Sequence, residues 1–600
     1  MEKHYSFPSN LLFLLKGAWN SAKSVLFYTV AHVPVIVLIP LVTSYLTRDV
    51  VALVSERASL EALVLRIGGL ALVLALLNVL NMAFTRKTKV KGTFVRFNYI
   101  VENTVKTMDA DYENIEGPEA QDMLRKCEDA VGYSNRSMTQ QIFRVSTEMV
   151  SNLLGLFLYS ALIFSLSPWI VALLVVLGVI NYMIAQRNLT WWNKMRGKWR
   201  AVDRKRNYLR EKVCDADAAK DVRLYRLMRW FEPAYVKLMN EMRYWRKQEA
   251  NKDFQVAGAG ALLNAVRDGA AYTVLLIQVV RGELTAAEFA FYFSLIAQYS
   301  TWVTGMFNAL NELGRTQIQI SDLRSFWDLP DASNRGPGAA LPDAAPDIVF
   351  DHVSFRYKGA EKDTLRNVSF HIRPGEKLAL VGLNGAGKTT IVKLLCDLYQ
   401  PTSGQILING KPPAAYNRDE LWKIYSVVFQ DVHIMPLTIA ENIALVPPAD
   451  IDRKKLERVI ALADLEEKIQ ALPEKENTLL VKQVHAQAVS LSGGELQKLA
   501  LARALYKGGN IIVLDEPTAA LDPIAESRQY ERYAQLTQGC SSLYISHRLS
   551  STQFCDRVIY LENGAIQEEG SHQELMALGG KYAELYTVQS HYYQEEAKAV

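Results

Sequence analysis

The hydrophobic positions fall into two patterns that divide the 600-residue chain. Before about residue 328 the sequence contains long runs without Lys, Arg, Asp or Glu, whereas after residue 346 short apolar runs alternate with glycine, proline and charge. About 20 consecutive apolar residues suffice for a helix to cross the hydrocarbon core, and a chain of this length exceeds what one core usually organises. The pattern therefore predicts an α-helical membrane domain followed by a soluble domain.

Six membrane spans are predicted within residues 24–327. Met149–Gln186 is a single uncharged run too long for one crossing, and the SLSP sequence at Ser165–Pro168 supplies a turn inside it. The fifth span is less uniform, because Arg267 and Asp268 stand in its middle. The predicted spans are about 24–47, 60–85, 147–166, 168–187, 254–281 and 287–311.

Basic residues near the span ends predict the orientation, because short cytoplasmic loops carry an excess of Lys and Arg. Arg86–Gln141 and Arg187–Lys252 are rich in these residues, and the other connections carry few. We therefore expect a multi-pass protein of the plasma (inner) membrane, with both termini and the soluble domain in the cytoplasm. Residues 1–23 lack a signal-peptide pattern and predict an amphipathic elbow helix on the inner surface of the lipid bilayer.

Polar residues inside the spans are candidates for a substrate cavity, because ionisable groups are costly there and usually face a cavity. The candidates are Arg267, Asp268, Asn78, Asn81 and Gln298. For the charged pair, an interior ion pair or a position at the membrane edge that only supports packing is the alternative. For the amides, the alternative is structural hydrogen bonding between helices.

Charge and cysteine content narrow the class of protein further. The formal net charge is only +4 and no Lys/Arg block resembles a nucleic-acid groove, so nucleic-acid binding is not favoured. The five cysteines are scattered without a CxxC or metal-binding spacing. They are interpreted as single buried thiols in a reducing compartment.

The soluble domain is predicted at 347–590, after a linker at 328–346 and before a C-terminal tail at 591–600. The linker is rich in Pro, Ala, Gly and Asp, which do not sustain a packed helix or strand. In the domain, IVFDHVSFRY and LRNVSFHIRPGEKLALVG alternate like strands, and KTTIVKLLCDLY has the pattern of a helix. Strand, tight loop and helix predict an α/β fold of the P-loop NTPase type.

The tight loop is GLNGAGKT at Gly382–Thr389, which matches GxxxxGK[ST] at every fixed position. Its glycines let backbone N–H groups curl around the β-phosphate of a nucleotide, while Lys388 reaches toward the β- and γ-phosphates. The Thr389 hydroxyl is a Mg²⁺ ligand in such loops. The motif therefore predicts ATP and Mg²⁺ as cofactors.

A second candidate motif is the apolar run NIIVL at Asn510–Leu514, which ends in Asp515 and Glu516. A buried strand that delivers two carboxylates at its carboxyl end fits a Walker B arrangement. There the first carboxylate holds the Mg²⁺ shell, and the second orients and deprotonates the attacking water. An ordinary strand end is the alternative, and the phosphate loop upstream favours the catalytic interpretation.

LSGGE at Leu491–Glu495 opens a second strongly helical segment with Ser-Gly-Gly. Such a helix start offers backbone N–H groups to an anion, although the chain already has a phosphate loop. GLNGAGKT, LSGGE, IIVLDEPTAALD and YISHR, in their order and spacing, strongly resemble the nucleotide-binding domain of ATP-binding cassette (ABC) transporters. With six spans ahead of them, the chain resembles a bacterial half-transporter of the exporter type.

The resemblance implies a role for individual positions of this sequence. Tyr357 would stack on adenine, Gln430 would contact Mg²⁺ and the attacking water, and His547 would hydrogen-bond the γ-phosphate. Asp522 would communicate between two sites. The implied nucleotide-binding residues are Tyr357, Gly382, Asn384, Gly385, Gly387, Lys388, Thr389, Thr390, Gln430, Ser492, Gly493, Gly494 and Asp522. The implied catalytic residues are Glu516, His547 and Lys388, and the implied metal ligands are Thr389, Gln430 and Asp515.

The resemblance also implies a dimer. Ser492, Gly493 and Gly494 of one chain would close over the nucleotide held by a second half-transporter, most simply another copy of the same chain, with a heterodimer as the variant. ATP would favour the closed dimer, and the spans would alternate access to export an unknown small molecule, lipid or peptide. An ATP-gated channel or regulatory subunit is the alternative. Short helices around Asp109–Gly117 and Asp215–Arg223 would transmit the motion.

Two positions depart from the family pattern. TLLVKQVHAQAVS precedes the signature, where many exporters carry a TEVGERG-like stretch, and Glu495 stands where Gln is common. The first departure puts one contact with the membrane domain in doubt. Because Glu516 and His547 are present, neither departure argues for an inactive ATPase.

Overall fold

The computed structural model describes residues 5–132, 137–216, 218–341, 344–516, 539–546 and 549–599. Its internal contacts divide the chain into two compact units. The helical unit comprises Met1–Met108 with Asp122–Asp328, and the α/β unit comprises Asp109–Gln121 with Leu329–Val600. A helical domain followed by an α/β domain is the predicted fold class, which is confirmed.

The first part of the chain folds into long helices whose ends carry helix-start signals. Pro168 stands at the first turn of one helix, and Thr285 opens another with a capping box in which its hydroxyl accepts from the Glu288 N–H at 3.2 Å. In chain order the helices are α1 (Phe7–Ala22), α2 (Ser24–Ser55), α3 (Leu60–Asp109), α4 (Glu113–Glu116), α5 (Pro118–Val131), α6 (Met138–Phe164), α7 (Pro168–Cys214), α8 (Ala219–Leu224), α9 (Met228–Val280) and α10 (Ala286–Trp327).

Four helices of the described residues are long and apolar enough to cross a membrane: α2, α3, α6 and α7. They contain the first four predicted spans, apart from the last residues of the third, because α6 ends at Phe164. The predicted span at 254–281 lies on α9 apart from its last residue, and that at 287–311 lies on α10; neither helix is among these four. Arg267 and Asp268 interrupt the apolar run of α9, and both spans stay predictions.

Close packing between α6 and α10 organises the core of the helical unit. A Cβ atom added at Gly155 of α6 would lie 2.6 Å from the Trp302 ring, and one added at Gly305 of α10 would lie 2.5 Å from Asn152 Oδ1. Glycine is required at both positions because the neighbouring side chain fills the space of a methyl group. Small residues at such crossings let helices approach closely in membrane proteins.

The N-terminal helix α1 is fixed to α10 by polar contacts within the helical unit. Asn10 is 2% exposed and donates from Nδ2 to Ser321 Oγ at 2.9 Å and to Gln317 Oε1 at 3.0 Å. On the other side of α1, Leu12 and Trp19 are largely exposed. This two-sided arrangement fits the amphipathic helix predicted at residues 1–23.

The described residues of the α/β unit form two sheets. A three-stranded antiparallel sheet has the order β2-β1-β4, and a six-stranded sheet has the order β5-β6-β7-β3-β8-β9, parallel except for β9. The strands are β1 (Ile348–Phe355), β2 (Leu365–Ile372), β3 (Lys377–Val381), β4 (Ser403–Ile408), β5 (Tyr425–Val428), β6 (Ile511–Asp515), β7 (Ser541–Ile545), β8 (Arg557–Glu562) and β9 (Ala565–Gly570). The helices are α11 (Lys388–Leu395), α12 (Arg418–Lys423), α13 (Ile439–Ala444), α14 (Arg453–Leu462), α15 (Glu466–Gln470), α16 (Gly493–Lys507), α17 (His572–Leu578) and α18 (Lys581–Ala599).

Sheet order brings the predicted motifs to one edge. The central strands β3, β6 and β7 are buried almost throughout, as parallel strands under helices are. β3 and β6 are separated only by β7, and all three run in the same direction. The residues that follow β3 and end β6 therefore meet at the carboxyl edge of the sheet, where α/β folds bind ligands.

Residues 109–121 belong to the α/β unit although they lie between helices α3 and α5 of the sequence. Arg418, whose side chain is 5% exposed, donates to Asp109 Oδ1 at 2.7 Å and to the Asp109 carbonyl at 2.9 Å. Arg335 also binds Asp109, and Asp111 accepts from the Ser333 N–H at 3.1 Å. Charge-assisted bonds of this kind, half-buried, fix the segment against the linker and α12.

Candidate functional site

The loop between β3 and α11 has the geometry of an anion cradle. Gly387 has a φ of +107° and a Cβ atom there would lie 2.6 Å from Leu365 Cδ2, so only glycine fits. α11 begins immediately afterwards at Lys388, with its first N–H groups directed toward the loop. Asn384 and Gly385 are exposed at the tip of the loop. Positive φ angles and a helix start together supply the N–H groups that bind phosphate.

The side chain of Lys388 folds back against this loop. It is 6% exposed, and its Nζ donates to the carbonyls of Gly382 at 2.8 Å and Leu383 at 3.1 Å. Burial lowers the pKa of Lys388, although the charges of Glu516 and Asp515 oppose that effect. The ammonium group is thus held at the mouth of the loop beside two carboxylates.

Thr389 and Asp515 form a pair that suits a divalent cation. The Thr389 hydroxyl donates to Asp515 Oδ2 at 3.3 Å, and the buried Asp515 Oδ1 has no hydrogen-bond partner. Burial and the charge of Glu516 raise the pKa of Asp515 to about 6. An unpaired carboxylate oxygen beside a hydroxyl is the oxygen donor set that Mg²⁺ takes when it also binds phosphate and water. The described residues contain no cluster of three or more His, Cys, Asp or Glu that could hold a metal alone.

Gln430 and Glu516 meet although they are far apart in sequence. Gln430 Nε2 donates to Glu516 Oε2 at 2.9 Å. Glu516 has a φ of +52°, and its N–H donates to the Ile545 carbonyl at 2.9 Å. A non-glycine residue in the left-handed region is strained and is held there by its surroundings. This conformation turns the Glu516 side chain away from the strand direction and toward Gln430.

Tyr357 lies beside the phosphate loop. Its hydroxyl is 3.1 Å from Thr390 Oγ1 on α11, and its ring meets Phe355 and Tyr399 edge to face at interplanar angles of 84° and 85°. These contacts fix the Tyr357 ring relative to α11, the helix that follows the phosphate loop. An aromatic ring in this place suits stacking by the base of a nucleotide.

The LSGGE signature forms a helix cap. Ser492 Oγ accepts from the Glu495 N–H at 3.4 Å, Glu495 Oε2 accepts from the Ser492 N–H at 2.8 Å, and Gly493 and Gly494 form the first turn of α16. Burial acts to raise the pKa of Glu495, but the Ser492 N–H and the Lys468 ammonium at 2.9 Å lower it. Glu and Gln both serve at this position of a capping box, so Glu495 does not disturb the signature.

The unusual stretch before the signature is bound to its own unit. The Leu480 N–H donates to the Leu437 carbonyl at 3.0 Å, and His485 Nε2 lies 3.2 Å from the Pro436 carbonyl. Val481 has a φ of +70°. The segment thus forms a compact turn against residues 436–438.

The remaining predicted site residues are not among those described at the edge of the sheet. His547 and Asp522 lie outside the described residues. Arg267 is 1% exposed and donates from Nε to Asp268 Oδ1 at 3.0 Å, and Ser300 donates to the same oxygen at 2.8 Å. The structure therefore brings Arg267 and Asp268 together, as an interior ion pair requires.

The amide candidates do not join that pair. Asn81 Oδ1 lies 2.7 Å from His32 Nε2, and Asn78 donates to the Leu74 carbonyl of its own helix. Gln298 is half-buried on α10.

Sequence reasoning missed Lys393 and Tyr399, which contact Tyr357, and Glu116, which binds both of them. Lys393 and Tyr399 lie within and just beyond the helix that follows the phosphate loop, and Glu116 precedes the Gly117-Pro118 break. Their positions along predicted elements were visible, but nothing local indicates that they meet.

The sequence of this chain is similar to a known protein family and to several curated proteins. Residues 365–519 match the family model described as ABC transporter. The chain is 36% identical over 325 residues to the ATP-dependent lipid A-core flippase of Burkholderia orbicola, a match that covers 54% of this chain and 53% of the relative. It is 40% identical over 254 residues to a protein of the same name from Cupriavidus metallidurans, covering 42% of each. The chain thus spans about half the length of the curated relatives it matches.

Among solved structures, the chain is similar to a bacterial Atm1-family ABC exporter with ATP bound. The TM-score is 0.79 at 21% sequence identity, over 94% of this chain and 98% of that chain. A similarity at this identity shows the fold, in which several apolar helices precede the ATPase domain. Residues 365–519 therefore match an ABC transporter domain, and the fold of the chain is similar to that of this exporter, with several apolar helices ahead of an ATPase domain.

Proposed function

We propose that this chain is half of an ATP-driven exporter that moves a lipid across the membrane by alternating access. The observation that carries the proposal is the contact between Gln430 and Glu516, 2.9 Å apart at the sheet edge where the phosphate loop ends. A carboxylate held by an amide beside a phosphate cradle is equipped to orient and deprotonate a water for attack on the γ-phosphate.

The other residues of the edge support ATP hydrolysis. Loop N–H groups and Lys388 would bind the phosphates, and the Tyr357 ring would stack on adenine. Thr389 and Asp515 would hold Mg²⁺, with Gln430 near its shell, and the ion would neutralise charge that develops on the phosphates. His547 at the γ-phosphate and Asp522 between sites stay part of the proposal through the family resemblance alone.

A lipid substrate is favoured by the relatives. The matched proteins are named ATP-dependent lipid A-core flippases, and lipid A-core is the substrate that we propose to test first. Within the helical unit, α6, α7 and α10 form an apolar groove of about 440 Å³ that includes the hydroxyl-bearing residues Ser160, Tyr182 and Tyr299. A groove of this size and composition suits an apolar chain with few polar contacts.

The proposed working form is a dimer of two such chains, most simply a homodimer. The first-turn N–H groups of α16, at Gly493 and Gly494, would close over the nucleotide of the second chain, where a helix N-terminus favours negative charge. ATP would then favour the closed dimer by binding both chains at once. If the purified chain alone shows no ATPase activity at any concentration, the homodimer is wrong and a heterodimer becomes the better hypothesis.

Reconstitution tests the transport proposal. The protein is placed in proteoliposomes with lipid A-core in the leaflet on the ATPase side, and appearance of the lipid in the opposite leaflet is measured with and without ATP. We expect ATP-dependent movement that is lost in Glu516→Gln. Equal lipid movement in the wild-type and Glu516→Gln proteins would contradict active export. Passive ion conductance after nucleotide binding would also contradict it, and would favour the ATP-gated channel.

A further inference from the structure

A cluster of aromatic and charged side chains joins residues 109–121 to the adenine side of the proposed ATP site, within the α/β unit. The segment contributes Tyr112 and Glu116. The domain contributes Lys393 from α11 and the aromatic rings of Tyr357 and Tyr399. None of these contacts is needed for phosphate binding, so the cluster calls for its own explanation.

Glu116 is the shared acceptor of the cluster. Its Oε1 accepts from Lys393 Nζ at 2.7 Å and from the Tyr112 hydroxyl at 3.0 Å, and the Tyr399 hydroxyl donates to its Oε2. The side chains of Lys393 and Glu116 are 18% and 33% exposed. Partial burial makes these charge-assisted bonds stronger than an exposed ion pair.

Lys393 stands among three rings. Its Nζ lies 5.4 Å, 5.8 Å and 5.7 Å from the ring centroids of Tyr112, Tyr357 and Tyr399. An ammonium within about 6 Å of an aromatic ring is attracted to the ring face. Because Tyr399 also meets Tyr357 at a centroid distance of 5.4 Å, the Tyr357 ring is held by the two side chains that Glu116 binds, in addition to Thr390 and Phe355.

We propose that Glu116 is a positioning residue for ATP: through Lys393 and Tyr399 it holds the Tyr357 ring in the orientation that receives the adenine base. The proposal rests on the proposed function, because it assumes that Tyr357 receives the base. On this proposal, residues 109–121 affect how tightly the protein binds ATP, and this effect is separate from any role that they have in transport. Phosphate contacts from the loop and Lys388 do not pass through Glu116, so binding of the phosphate chain is unaffected.

The test compares two ligands of the same site in the full-length protein. ATP hydrolysis gives KM and kcat, and competitive inhibition by inorganic tripolyphosphate gives a Ki that reports the phosphate contacts alone. For Glu116→Gln we expect KM for ATP to rise about three- to tenfold, because an ion pair and ordered ring contacts are lost. We expect kcat to stay within about twofold and the tripolyphosphate Ki to be unchanged.

Two further variants keep the test decisive. Lys393→Met removes the ammonium from the domain side while keeping an apolar stem, and we expect the same rise in KM. Asp109→Asn weakens the attachment of the same segment at Arg418 without reaching the rings, and we expect no change in KM.

Equal KM values for Glu116→Gln and wild type would overturn the proposal. So would a tripolyphosphate Ki that rises with KM, or an Asp109→Asn variant with the same rise, because each indicates general loosening of the domain. Absence of ATP hydrolysis in the wild-type protein would instead contradict the proposed function.

Discussion

At the residue scale, Glu516 shows how a backbone conformation prepares a side chain for chemistry. Its left-handed φ of +52° comes directly after the buried strand β6, and the Ile545 carbonyl fixes its N–H. Strain at such a position persists only where the surroundings determine it. Here the result is a carboxylate that reaches Gln430 beside the phosphate loop.

Glu516→Gln is expected to lower kcat for ATP hydrolysis by about 10²- to 10⁴-fold, the usual contribution of a general base. ATP binding should persist, because the loop N–H groups and Lys388 are unchanged. Steady-state turnover and equilibrium binding of a fluorescent ATP analogue measure the two effects. Glu457→Gln, which makes the same chemical change at an exposed position of α14, is the control. A Glu516→Gln protein with wild-type turnover would remove this residue from the catalytic role.

Asp397 is expected to make stability depend on pH. Burial raises the pKa of Asp397 from 3.8 to about 6, although the hydrogen bond that Gln400 donates to its Oδ1 at 2.6 Å acts to lower it. A raised pKa means that the folded state favours the protonated form. The associated stability is therefore present below about pH 4 and lost as the pH rises through about 6. Asp397→Asn, which cannot ionise, should raise Tm at pH 7.5 by a few degrees and change it less at pH 5.

Asn also suits the φ of +55° at position 397, so the backbone preference needs its own control. Asp464→Asn provides it, because Asp464 has a φ of +58° and an exposed side chain, whose surface ion pair with Lys498 contributes little to stability. Thermal unfolding of both variants at the two pH values separates the contributions. An effect of Asp397→Asn that is the same at both pH values would contradict the burial argument.

At the scale of elements, the contact between α6 and α10 depends on the absence of a side chain at Gly155. Its Cβ would lie 2.6 Å from Cδ2 and 2.7 Å from Cε2 of Trp302, which is itself 4% exposed. A large buried ring has little room to move in a close-packed interior. The two helices can keep their distance only while this position has no side chain.

Gly155→Ala is therefore expected to destabilise the protein by about 1–3 kcal/mol through overpacking. Gly258→Ala on α9 is the matched control, because no atom lies within 4 Å of its added Cβ and alanine favours helix. Fluorescence-detected thermal unfolding in detergent compares the two. A Gly155→Ala protein as stable as Gly258→Ala would show that Trp302 rearranges without cost.

Elements were predictable where the signal is local. The run Asn510–Leu514 predicted a strand, and β6 spans Ile511–Asp515, because buried parallel strands are continuous apolar runs. The helix after the phosphate loop begins at Lys388 as the motif requires. By contrast, Glu116 and Lys393 meet across 277 positions of sequence. A contact between residues so far apart in sequence cannot be predicted from the local hydrophobic pattern. The contact between Gly155 and Trp302 could not be predicted for the same reason.

At the scale of the whole molecule, the two helix starts at Lys388 and Gly493 are built differently. α11 follows the glycine-rich loop, whereas α16 begins with a capping box that already uses the Ser492 hydroxyl. If α16 serves the nucleotide of a second chain, a complete site needs Lys388 from one chain and Gly494 from the other. That requirement can be tested by complementation.

Lys388→Ala and Gly494→Asp should each abolish ATP hydrolysis in a dimer of identical chains. A mixed dimer has one site with both defects and one site with none, so co-expression should restore hydrolysis. ATPase activity of complexes purified through a different affinity tag on each chain measures this. If each chain completes its own site, the mixed complex stays inactive, which would contradict the head-to-tail arrangement.

The ion pairs that bind residues 109–121 to the rest of the α/β unit also limit which substitutions the protein can accept during evolution. Substitution of Asp109 removes one of the carboxylates paired with Arg418, whose side chain is 5% exposed, and substitution of Glu116 removes the carboxylate paired with Lys393. Such changes are costly unless the other side changes too, so these pairs should covary among related sequences. A functional chimaera that takes its ATPase domain from a relative should therefore also take residues 109–121 from that relative, although they lie more than 200 positions before the domain.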